Sequence, residues 1–400
     1  MHKKLVITKM PWKETKITVA ALEEGGRIEE LRVWGDQDQE ILGNIYLGQV
    51  ERVQSFMNCA FVHIDRATSC YMDLADQDVA YLPHMTEKKA LNSMTELVVQ
   101  VTKEAGRKKN PRVSAGFSLH SPHMVLSRSL KQEIGISRKL NDLQRNRLKL
   151  LSGNFSLPEY TSLIFRTSAA KATDEQLIKE YTGLRERYLR ILHLADTRPV
   201  FSLLEQAESG SLGMLREMSG TPVTVRTDLA EIAQEVTDAF SRGILSEKEV
   251  TISLYEDALL PLYKLYRLET ILSESLQEKV WLKSGGFLVI QQTDAFVAID
   301  VNSGKYSSKR QPQEIYKKVN REAAEEIVHQ LRLRNLSGMI LVDFINMKEK
   351  TDQEELLTYL SNLSVQDPVE LAVIDMTALG IVEMTRKKAR KPLAEQLRVL

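Results

Sequence analysis

The stretch from Gly285 to Met347 limits the fold most, because its pattern alternates strand, strand, helix and strand. Two apolar runs, Phe287–Ile290 and Ala295–Ile299, flank the polar turn 292–294, and this pattern predicts a β-hairpin. Apolar residues then recur every four positions from 315 to 331 with charges between them, which predicts an amphipathic helix. A hairpin followed by a helix and a further strand indicates a mixed α and β fold.

Each of the last two predicted strands in this stretch ends in a carboxylate. Asp300 follows the second hairpin strand, and Asp343 follows the apolar run 339–342. If the two strands lie near each other in one sheet, the acids meet at its edge and form a hard oxygen site suited to Mg²⁺. Such an ion can polarise a phosphoryl oxygen and activate water. The alternative is that each aspartate is a turn residue or a helix cap.

Length and composition exclude several classes of protein. The 400 residues predict two or more domains, and 43% hydrophobic with 27% charged residues is typical of a soluble globular protein. Basic and acidic residues are equal in number at 54 each, so any basic surface for a nucleic acid must be local. Cys59 and Cys70 are the two cysteines, and we expect them to be buried thiols on neighbouring strands. They exclude a disulfide-rich scaffold and a four-cysteine zinc site in one chain.

Hydropathy gives no sign of a membrane segment or a signal peptide. The N-terminus has no apolar core, and the chain has no apolar run of 18 residues. We therefore expect a cytoplasmic protein that does not bind a membrane.

Short strands separated by turn signals between Ile41 and Val113 predict a small barrel. Phe61 and Tyr71 lie ten positions apart on two of these strands. They are either core aromatics or surfaces on which nucleic-acid bases stack. Five cations fall within the ten residues from Lys103 to Arg112, where they form either a solvated loop or a loop that contacts phosphates.

A further strand, Leu163–Phe165, is followed by Arg166 and Thr167, a cation and a hydroxyl. From the pattern alone, Arg166 either contacts an anionic ligand or forms a surface ion pair. His120 and His123 lie close in sequence, but Pro122 prevents their alignment on a helix and no third metal ligand is near. We do not expect a histidine metal site there.

Three long blocks resemble the motifs of the ribonuclease E/G family. The first is Ala298-Ile299-Asp300-Val301-Asn302-Ser303-Gly304-Lys305, and the second comprises Gln330-Leu331-Arg332-Leu333-Arg334-Asn335-Leu336, Gly338 and Leu341-Val342-Asp343-Phe344-Ile345. The third is Leu379-Gly380-Ile381-Val382-Glu383-Met384-Thr385-Arg386-Lys387-Lys388. The separation of Asp300 and Asp343 also fits the family. The chain departs from the family at Asn346, where a second acid is usual, and at Ser121, where the family has a glycine.

The resemblance implies an α+β chain of several subdomains. They are a structural ribonuclease-H-like subdomain in residues 1–38 and 197–280, an S1 barrel of the OB type in 39–115, a 5′-sensor in 116–196 and a DNase-I-like catalytic subdomain in 281–400. The barrel, whose opening Gly43-Asn44-Ile45-Tyr46-Leu47-Gly48-Gln49-Val50 resembles an S1 domain, and the sensor would be inserted into the ribonuclease-H-like subdomain.

The resemblance also assigns expected roles to individual residues. Asp300 and Asp343 would bind Mg²⁺, and Asn302 would orient water or the phosphate. The expected RNA-binding residues are Phe61, Tyr71 and Lys103, and the expected 5′-monophosphate-binding residues are Val125, Arg166, Thr167 and Arg386.

The activity implied by the resemblance is Mg²⁺-dependent endonucleolytic cleavage of single-stranded RNA in RNA processing and decay, with rRNA, tRNA or mRNA as substrates. The products would carry 5′-phosphate and 3′-hydroxyl ends, and 5′-monophosphorylated substrates would be favoured. The alternative is a non-catalytic protein that binds single-stranded RNA. A nucleotide-binding protein of the P-loop class is not expected, because the chain lacks Gly-x-x-x-x-Gly-Lys-Ser/Thr. Family members often share zinc between protomers through a Cys-x-x-Cys that is absent here, so we expect any homo-oligomer to form without shared zinc.

Overall fold

The computed structural model describes residues 3–35, 41–84, 90–103, 110–207, 210–218, 220–241, 244–245, 249–257, 259–304, 312–388 and 390–399. The strands in this part of the chain are β1 (Lys3–Trp12), β2 (Thr15–Glu24), β3 (Arg27–Gly35), β4 (Ile45–Gln54), β5 (Cys59–His63), β6 (Ser69–Asp73), β7 (Glu96–Lys103), β8 (Arg112–Ser114), β9 (Ser118–His120), β10 (Met124–Arg128), β11 (Ile134–Ile136), β12 (Thr161–Phe165), β13 (Leu203–Glu205), β14 (Val223–Thr227), β15 (Val250–Leu254), β16 (Lys279–Trp281), β17 (Phe287–Gln292), β18 (Phe296–Asn302), β19 (Gly338–Asp343), β20 (Leu371–Met376) and β21 (Ile381–Arg386). The α-helices are α1 (Asp142–Ser152), α2 (Asp174–Thr197), α3 (Gly210–Glu217), α4 (Ala230–Ser241), α5 (Leu262–Leu265), α6 (Leu268–Ser275), α7 (Pro312–Leu333), α8 (Lys350–Ser364) and α9 (Leu393–Val399).

The chain divides into two compact units. One contains Met1–Asp38, Thr224–Ala230 and Ser253–Leu400, and the other contains Gln39–Val223 and Glu231–Ile252. Within the described residues, none of the helices has both the length and the apolar character needed to cross a membrane.

The first unit contains two sheets. One has the strand order β15-β14-β1-β2-β3, so β1 pairs with β14, which begins more than 200 residues after β1 ends. Buried side chains of β1 to β3 pack with Leu262, Leu268, Leu272 and Leu397 in one apolar cluster.

The second sheet of this unit, which we call the catalytic sheet, has the order β16-β17-β18-β19-β21-β20. β17 and β18 pair antiparallel, and α7 spans Pro312–Leu333, so the predicted hairpin and helix are confirmed. Apolar residues of α7 and α8 share one core cluster with Val297, Ile299 and Val301 of β18. Because strand side chains alternate between faces, the even-numbered residues of β18 lie on the face opposite this core.

The second unit contains a closed five-stranded barrel. Its strands run β4-β5-β6-β8-β7, and pairing of β4 with β7 closes it. Cys59 and Cys70 lie on β5 and β6 and are both buried, as predicted. This closure is consistent with the S1 or OB-type barrel expected from the sequence.

The same unit contains a four-stranded sheet of order β11-β12-β10-β9. Helix α2 begins with a capping box between Thr173 and Gln176 and packs its buried residues Leu177, Leu184 and Tyr188 in the core of this sheet. The sheet places β9, β10 and the residues after β12 side by side, and the polar residues described below lie there.

Candidate functional site

Asp300 and Asp343 are direct partners in the parallel pairing of β18 with β19. Partners in register project from the same face, and both aspartates are exposed on the face opposite the α7 and α8 core. The prediction that the two acids meet at the edge of one sheet is therefore confirmed. The Asn302 Nδ2 atom donates to Asp300 Oδ2 at 2.7 Å, so this side chain joins the pair.

The neighbourhood of the pair is open and largely apolar. Ala298 pairs with Leu341, and Leu341 pairs with Glu383 on β21, so these three side chains share the face with the aspartates. Among the described residues no group of three or more His, Cys, Asp and Glu side chains could together hold a metal ion. Asp300 and Asp343 are therefore the acids that lie in direct register, and Glu383 on β21 is a further acid on the same face.

Glycines allow the backbone after Asn302 to approach the loop before β17. Gly304 has φ of +62°, and a Cβ there would lie 2.3 Å from the Gly285 carbonyl oxygen. A Cβ on Gly286 would lie 2.7 Å from the Asn302 carbonyl oxygen. Side chains at these positions would displace the backbone that carries Asn302.

A buried asparagine of α7 fixes the loop that follows Asp343. Asn320 is fully buried, and its Nδ2 atom donates to the Ile345 carbonyl oxygen at 2.7 Å. The Ile345 amide donates to Asn320 Oδ1 at 3.0 Å. The amide side chain thus replaces a pair of sheet hydrogen bonds and holds the backbone between Asp343 and Asn346 on the helix. Asn320 is a positioning residue that sequence reasoning missed.

The residues at this face fit a divalent cation with hard-oxygen preference. Two exposed carboxylates supply charged oxygen ligands, and Mg²⁺ commonly takes one or two protein carboxylates while it keeps several waters. The Asn302 amide adds a neutral oxygen beside them. The open face leaves room for water and for a phosphate group.

Phe61 and Tyr71 lie on the outer surface of the barrel, not in its core. They are register partners on β5 and β6, half-buried, and their rings meet edge to face with centroids 6.3 Å apart. Val62 and Cys70, their neighbours along each strand, point inward and are buried. The alternative that both are core aromatics is therefore wrong, and stacking of bases on these rings stays a prediction.

Cations flank both rings in a continuous row. The row runs through register partners on successive strands in the order Arg52, Phe61, Tyr71, Arg112, Lys103. The Arg52 guanidinium lies 4.5 Å from the Phe61 ring centre, and that of Arg112 lies 5.2 Å from the Tyr71 ring centre. We call these five residues the barrel row. Arg52 could have been found only from the cross-strand register, and residues 107–109 of the predicted basic run lie outside the described residues.

Arg166 lies in a dense polar network in the second unit. Its Nη2 atom is 2.9 Å from His120 Nδ1, and because guanidinium can only donate, His120 accepts. Burial, together with Arg216, Arg166 and Arg187, lowers the pKa of His120 to about 3, so its ring is neutral. His120 therefore orients Arg166 through an unprotonated nitrogen.

Glu180 of α2 is the acid of this network. Its Oε2 atom accepts from Ser121 Oγ at 2.7 Å and from the His123 amide at 3.1 Å. Burial raises the pKa of Glu180 to about 7 against the opposing hydrogen bonds and Arg166. The Ser121 side chain is itself buried and turned toward Glu180. We call His120, Ser121, His123, Arg166 and Glu180 the Arg166 network.

The other residues expected to bind a 5′-phosphate fall in two places. Val125 is the register partner of His120, and the Arg166 amide donates to the His123 carbonyl oxygen, so Val125 lies beside the network. Thr167 is exposed, with its Oγ1 atom 2.9 Å from Ser137 Oγ. The structure thus brings Val125, Arg166 and Thr167 to one region.

Arg386 belongs to the first unit, on β21, where it is 3% exposed. Its Nε and Nη2 atoms donate to the two carboxylate oxygens of Asp367 at 2.7 and 3.2 Å. Its Nη1 atom donates to Asn335 Oδ1 and to the Leu336 carbonyl oxygen. An anion that binds this guanidinium would have to compete with Asp367.

Comparison with known proteins agrees with these motifs. The sequence profile of the Ribonuclease E/G family matches residues 118–389. Ribonuclease G of Haemophilus influenzae is 32% identical over 397 residues, which cover 96% of this chain and 79% of that protein. Ribonuclease G of Escherichia coli is 28% identical over 95% of this chain and 79% of its own length. Ribonuclease E of Synechocystis is 30% identical over 90% of this chain, which spans 56% of that relative. The chain with the Asp300–Asp343 pair is a member of the ribonuclease E/G family.

Proposed function

We propose that this protein is a Mg²⁺-dependent endoribonuclease that cleaves single-stranded RNA. The observation that carries the proposal is the register pairing of Asp300 with Asp343 on an exposed sheet face, within a family whose relatives are named ribonucleases. Cellular substrates among rRNA, tRNA and mRNA, and a cytoplasmic location, belong to the same proposal.

The described residues suit hydrolysis of a phosphodiester. Asp300 and Asp343 would bind Mg²⁺, which supplies charge to neutralise the phosphate and to activate water. Asn302 donates one Nδ2 hydrogen to Asp300, which leaves the other to donate to a phosphate oxygen and the carbonyl oxygen to accept from water. Water adds its oxygen to phosphorus as the bond to the 3′-oxygen breaks, and the proton passes to that leaving oxygen. The products then carry a 5′-phosphate and a 3′-hydroxyl.

The barrel row supports binding of a single strand. Phe61 and Tyr71 provide two aromatic surfaces on the outside of the barrel, and base stacking on such rings does not depend on sequence. Arg52, Arg112 and Lys103 lie in the same row and are exposed, so they can contact successive phosphates.

Recognition of a 5′-monophosphate is the finer part of the proposal. Arg166, Thr167 and Val125 lie together, and guanidinium groups bind phosphate with charge-assisted hydrogen bonds. Ser121, which replaces a family glycine, is hydrogen-bonded to Glu180. Arg386 would bind the 5′-phosphate only if the phosphate displaced part of the pairing between Arg386 and Asp367.

The subdomain division completes the proposal. The sheet that joins β1–β3 to β14 and β15 would be the ribonuclease-H-like subdomain, and the catalytic sheet with α7 and α8 would be the DNase-I-like subdomain. The barrel and the sheet around β12 would be the inserted S1 and 5′-sensor parts.

Cleavage of one single-stranded oligonucleotide prepared with three different 5′ ends tests the proposal. We expect Mg²⁺-dependent cleavage, lost with a chelator, and faster with a 5′-monophosphate than with a 5′-hydroxyl or a 5′-triphosphate. Arg166→Gln should remove that preference and keep the rate on 5′-hydroxyl RNA, whereas Arg185→Gln on the exposed side of α2 should keep both.

Two results would contradict parts of the proposal separately. RNA binding without cleavage at any Mg²⁺ concentration would favour the non-catalytic RNA-binding protein, with Asn346 as the first residue to revert to an acid. Equal cleavage of all three 5′ ends would contradict the 5′-end proposal alone.

A further inference from the structure

A cavity of about 800 Å³ in the first unit lies among α6, β16 and α7. Its lining includes Arg27, Lys279, Trp281, Lys283 and Arg334. Helix α7 packs against the face of the catalytic sheet opposite Asp300 and Asp343, so this cavity is separate from the aspartate pair. Its volume lies in the range of small-molecule sites.

Arg334 is the feature of the cavity that points to a ligand. It is only 6% exposed, its Nε atom donates to Gln330 Oε1 at 2.5 Å and its Nη1 atom donates to the Gln277 carbonyl oxygen at 2.6 Å. Its buried Nη2 atom has no hydrogen-bond partner among the residues that the structure describes. Burial lowers the pKa of Arg334 to about 10, which still leaves the group cationic at neutral pH.

The glutamates that line the cavity form ion pairs or hydrogen bonds with groups other than Arg334, or are exposed to solvent. Glu326 pairs with Arg27 at 2.5 Å and with His329 at 3.3 Å. Glu322 accepts from the Ser284 amide, Glu325 accepts from the Tyr359 hydroxyl, and Glu274 is exposed to solvent. In the described part of the chain, no carboxylate lies within 4.0 Å of the Arg334 guanidinium. The charge of Glu326 opposes the lowering of the Arg334 pKa, but Glu326 is shared with Arg27 and His329 and does not contact the guanidinium. A buried cation without a carboxylate in direct contact is costly, so an anion that reached it would be bound favourably.

Two lysines extend the positive charge to the mouth of the cavity. Lys279 Nζ lies 4.0 Å from the Trp281 ring centre and 3.8 Å from the Phe287 ring centre, which holds the ammonium at one place. Lys283 is exposed on the same wall. Trp281 is 65% exposed and offers an apolar surface next to these charges.

We propose that this cavity binds a small phosphate-bearing molecule, whose phosphate accepts a hydrogen bond from Arg334 Nη2 and whose remaining charge is met by Lys279 and Lys283. One guanidinium with two ammonium groups suits a dianion better than a carboxylate, which carries a single charge. The volume exceeds that of a phosphate ion, so the organic part of the molecule would lie along Trp281. This site is independent of the proposed ribonuclease activity.

Calorimetric titration tests the site with inorganic phosphate and with adenosine 5′-monophosphate as probes, at constant ionic strength. The Arg166→Gln background is used so that the Arg166 network does not contribute. We expect saturable binding of both probes, tighter for the nucleotide. Lys279→Ala and Lys283→Ala should each weaken it at least threefold, and Arg334→Lys should weaken it more than tenfold.

Controls separate loss of binding from loss of fold. Lys264→Ala, an exposed lysine outside the cavity, should bind both probes as before. If Arg334→Lys lowers the thermal unfolding midpoint, the two exposed lysine variants and a crystal structure with phosphate decide the matter. Absence of saturable binding, binding unchanged by all three cavity variants, water on Nη2 in phosphate-soaked crystals, or binding of RNA oligonucleotides alone would each overturn the proposal.

Discussion

Asp300 and Asp343 lie exposed on a sheet face, whereas Arg166 lies half-buried among side chains from several elements. Both regions are proposed to contact phosphate groups of RNA. The aspartate pair needs one strand pairing to form, because register places the two residues side by side. The Arg166 network needs β9, β10, β12 and α2 to come together before Arg166 acquires its hydrogen-bond partner and its charged neighbours.

This difference has electrostatic consequences. The exposed aspartates are solvated, so they can exchange water for a cation at little cost. In the Arg166 network burial sets the protonation states, with His120 kept neutral and the pKa of Glu180 raised to about 7. We therefore expect the aspartate pair to depend on its surroundings mainly through the backbone that carries it, and the Arg166 network to be sensitive to each member.

The largest effect is expected at the aspartate pair. Asp300→Asn and Asp343→Asn should each lower the cleavage rate by about three orders of magnitude, because several kcal/mol of transition-state stabilisation are lost with the cation. RNA affinity should stay within a few-fold, since the barrel row is unchanged. Single-turnover cleavage and filter binding measure the two quantities, and near-normal cleavage by either variant would disprove the assignment.

The barrel row provides the second test, because strand register alone brings its five side chains together, as it does for the aspartate pair. Phe61→Ala and Tyr71→Ala should weaken single-strand binding by roughly 1–3 kcal/mol per lost stack and leave the fold intact. Phe56, an aromatic residue that is 87% exposed and outside the row, provides the matched Phe56→Ala control. Fluorescence anisotropy measures the affinities. Unfolding of the double variant with unchanged affinity would mean that the rings stabilise the barrel instead.

Asn320 tests how strongly the aspartate pair depends on the backbone around it. Asn320→Ala removes both hydrogen bonds to Ile345 and frees the loop after Asp343, so activity should fall about 10–100-fold, as for other residues that orient metal ligands. The Mg²⁺ concentration for half-maximal rate should rise. Asn320→Asp, which keeps the acceptor, should recover part of the loss.

Lys318→Ala, an exposed change on the same helix, serves as the control for Asn320. An unchanged Mg²⁺ dependence in Asn320→Ala would show that the side chain stabilises the fold without positioning the site.

Strand ends and helix periodicity are local signals, so the pattern could place both aspartates at strand ends, and the family resemblance then favoured a functional pair over turn residues or helix caps. Sequence patterns left two alternatives for Phe61 and Tyr71, since an alternating strand does not reveal which face is inside until its pairing is known. The pairing of Arg386 could not be predicted either, because Asp367 is 19 positions away and meets it only inside the fold. The Arg166 network could not be predicted, because Glu180 and Ser121 are 59 residues apart and meet only through packing of α2.

The smallest predicted effect comes from Glu180, and it tests the buried side of the comparison. In the unfolded chain this carboxyl titrates near 4.5, whereas burial raises its pKa in the folded protein to about 7. Between these values the folded state keeps a proton that the unfolded state releases, so the contribution to stability is complete below 4.5 and is lost as the pH rises through 7. The charged or titratable groups that face the Glu180 carboxyl are Arg166, His123 and Glu249, and a substitution at position 180 leaves these three residues in place.

Glu180→Gln removes this titration and keeps the hydrogen bonds, since Ser121 and His123 both donate to the same oxygen. We expect the unfolding midpoint of the variant minus that of the unmodified protein to increase as the pH rises from 5, and this difference to level off above pH 7. The gain should reach several degrees, because about 1 kcal/mol moves the midpoint by about 2–4 °C in a domain of 150–250 residues. Glu186→Gln, an exposed change on the same helix, should show no such trend. A constant difference between variant and unmodified protein across this pH range would mean that Glu180 is already ionised in the fold, and that the Arg166 network is as well solvated as the aspartate pair.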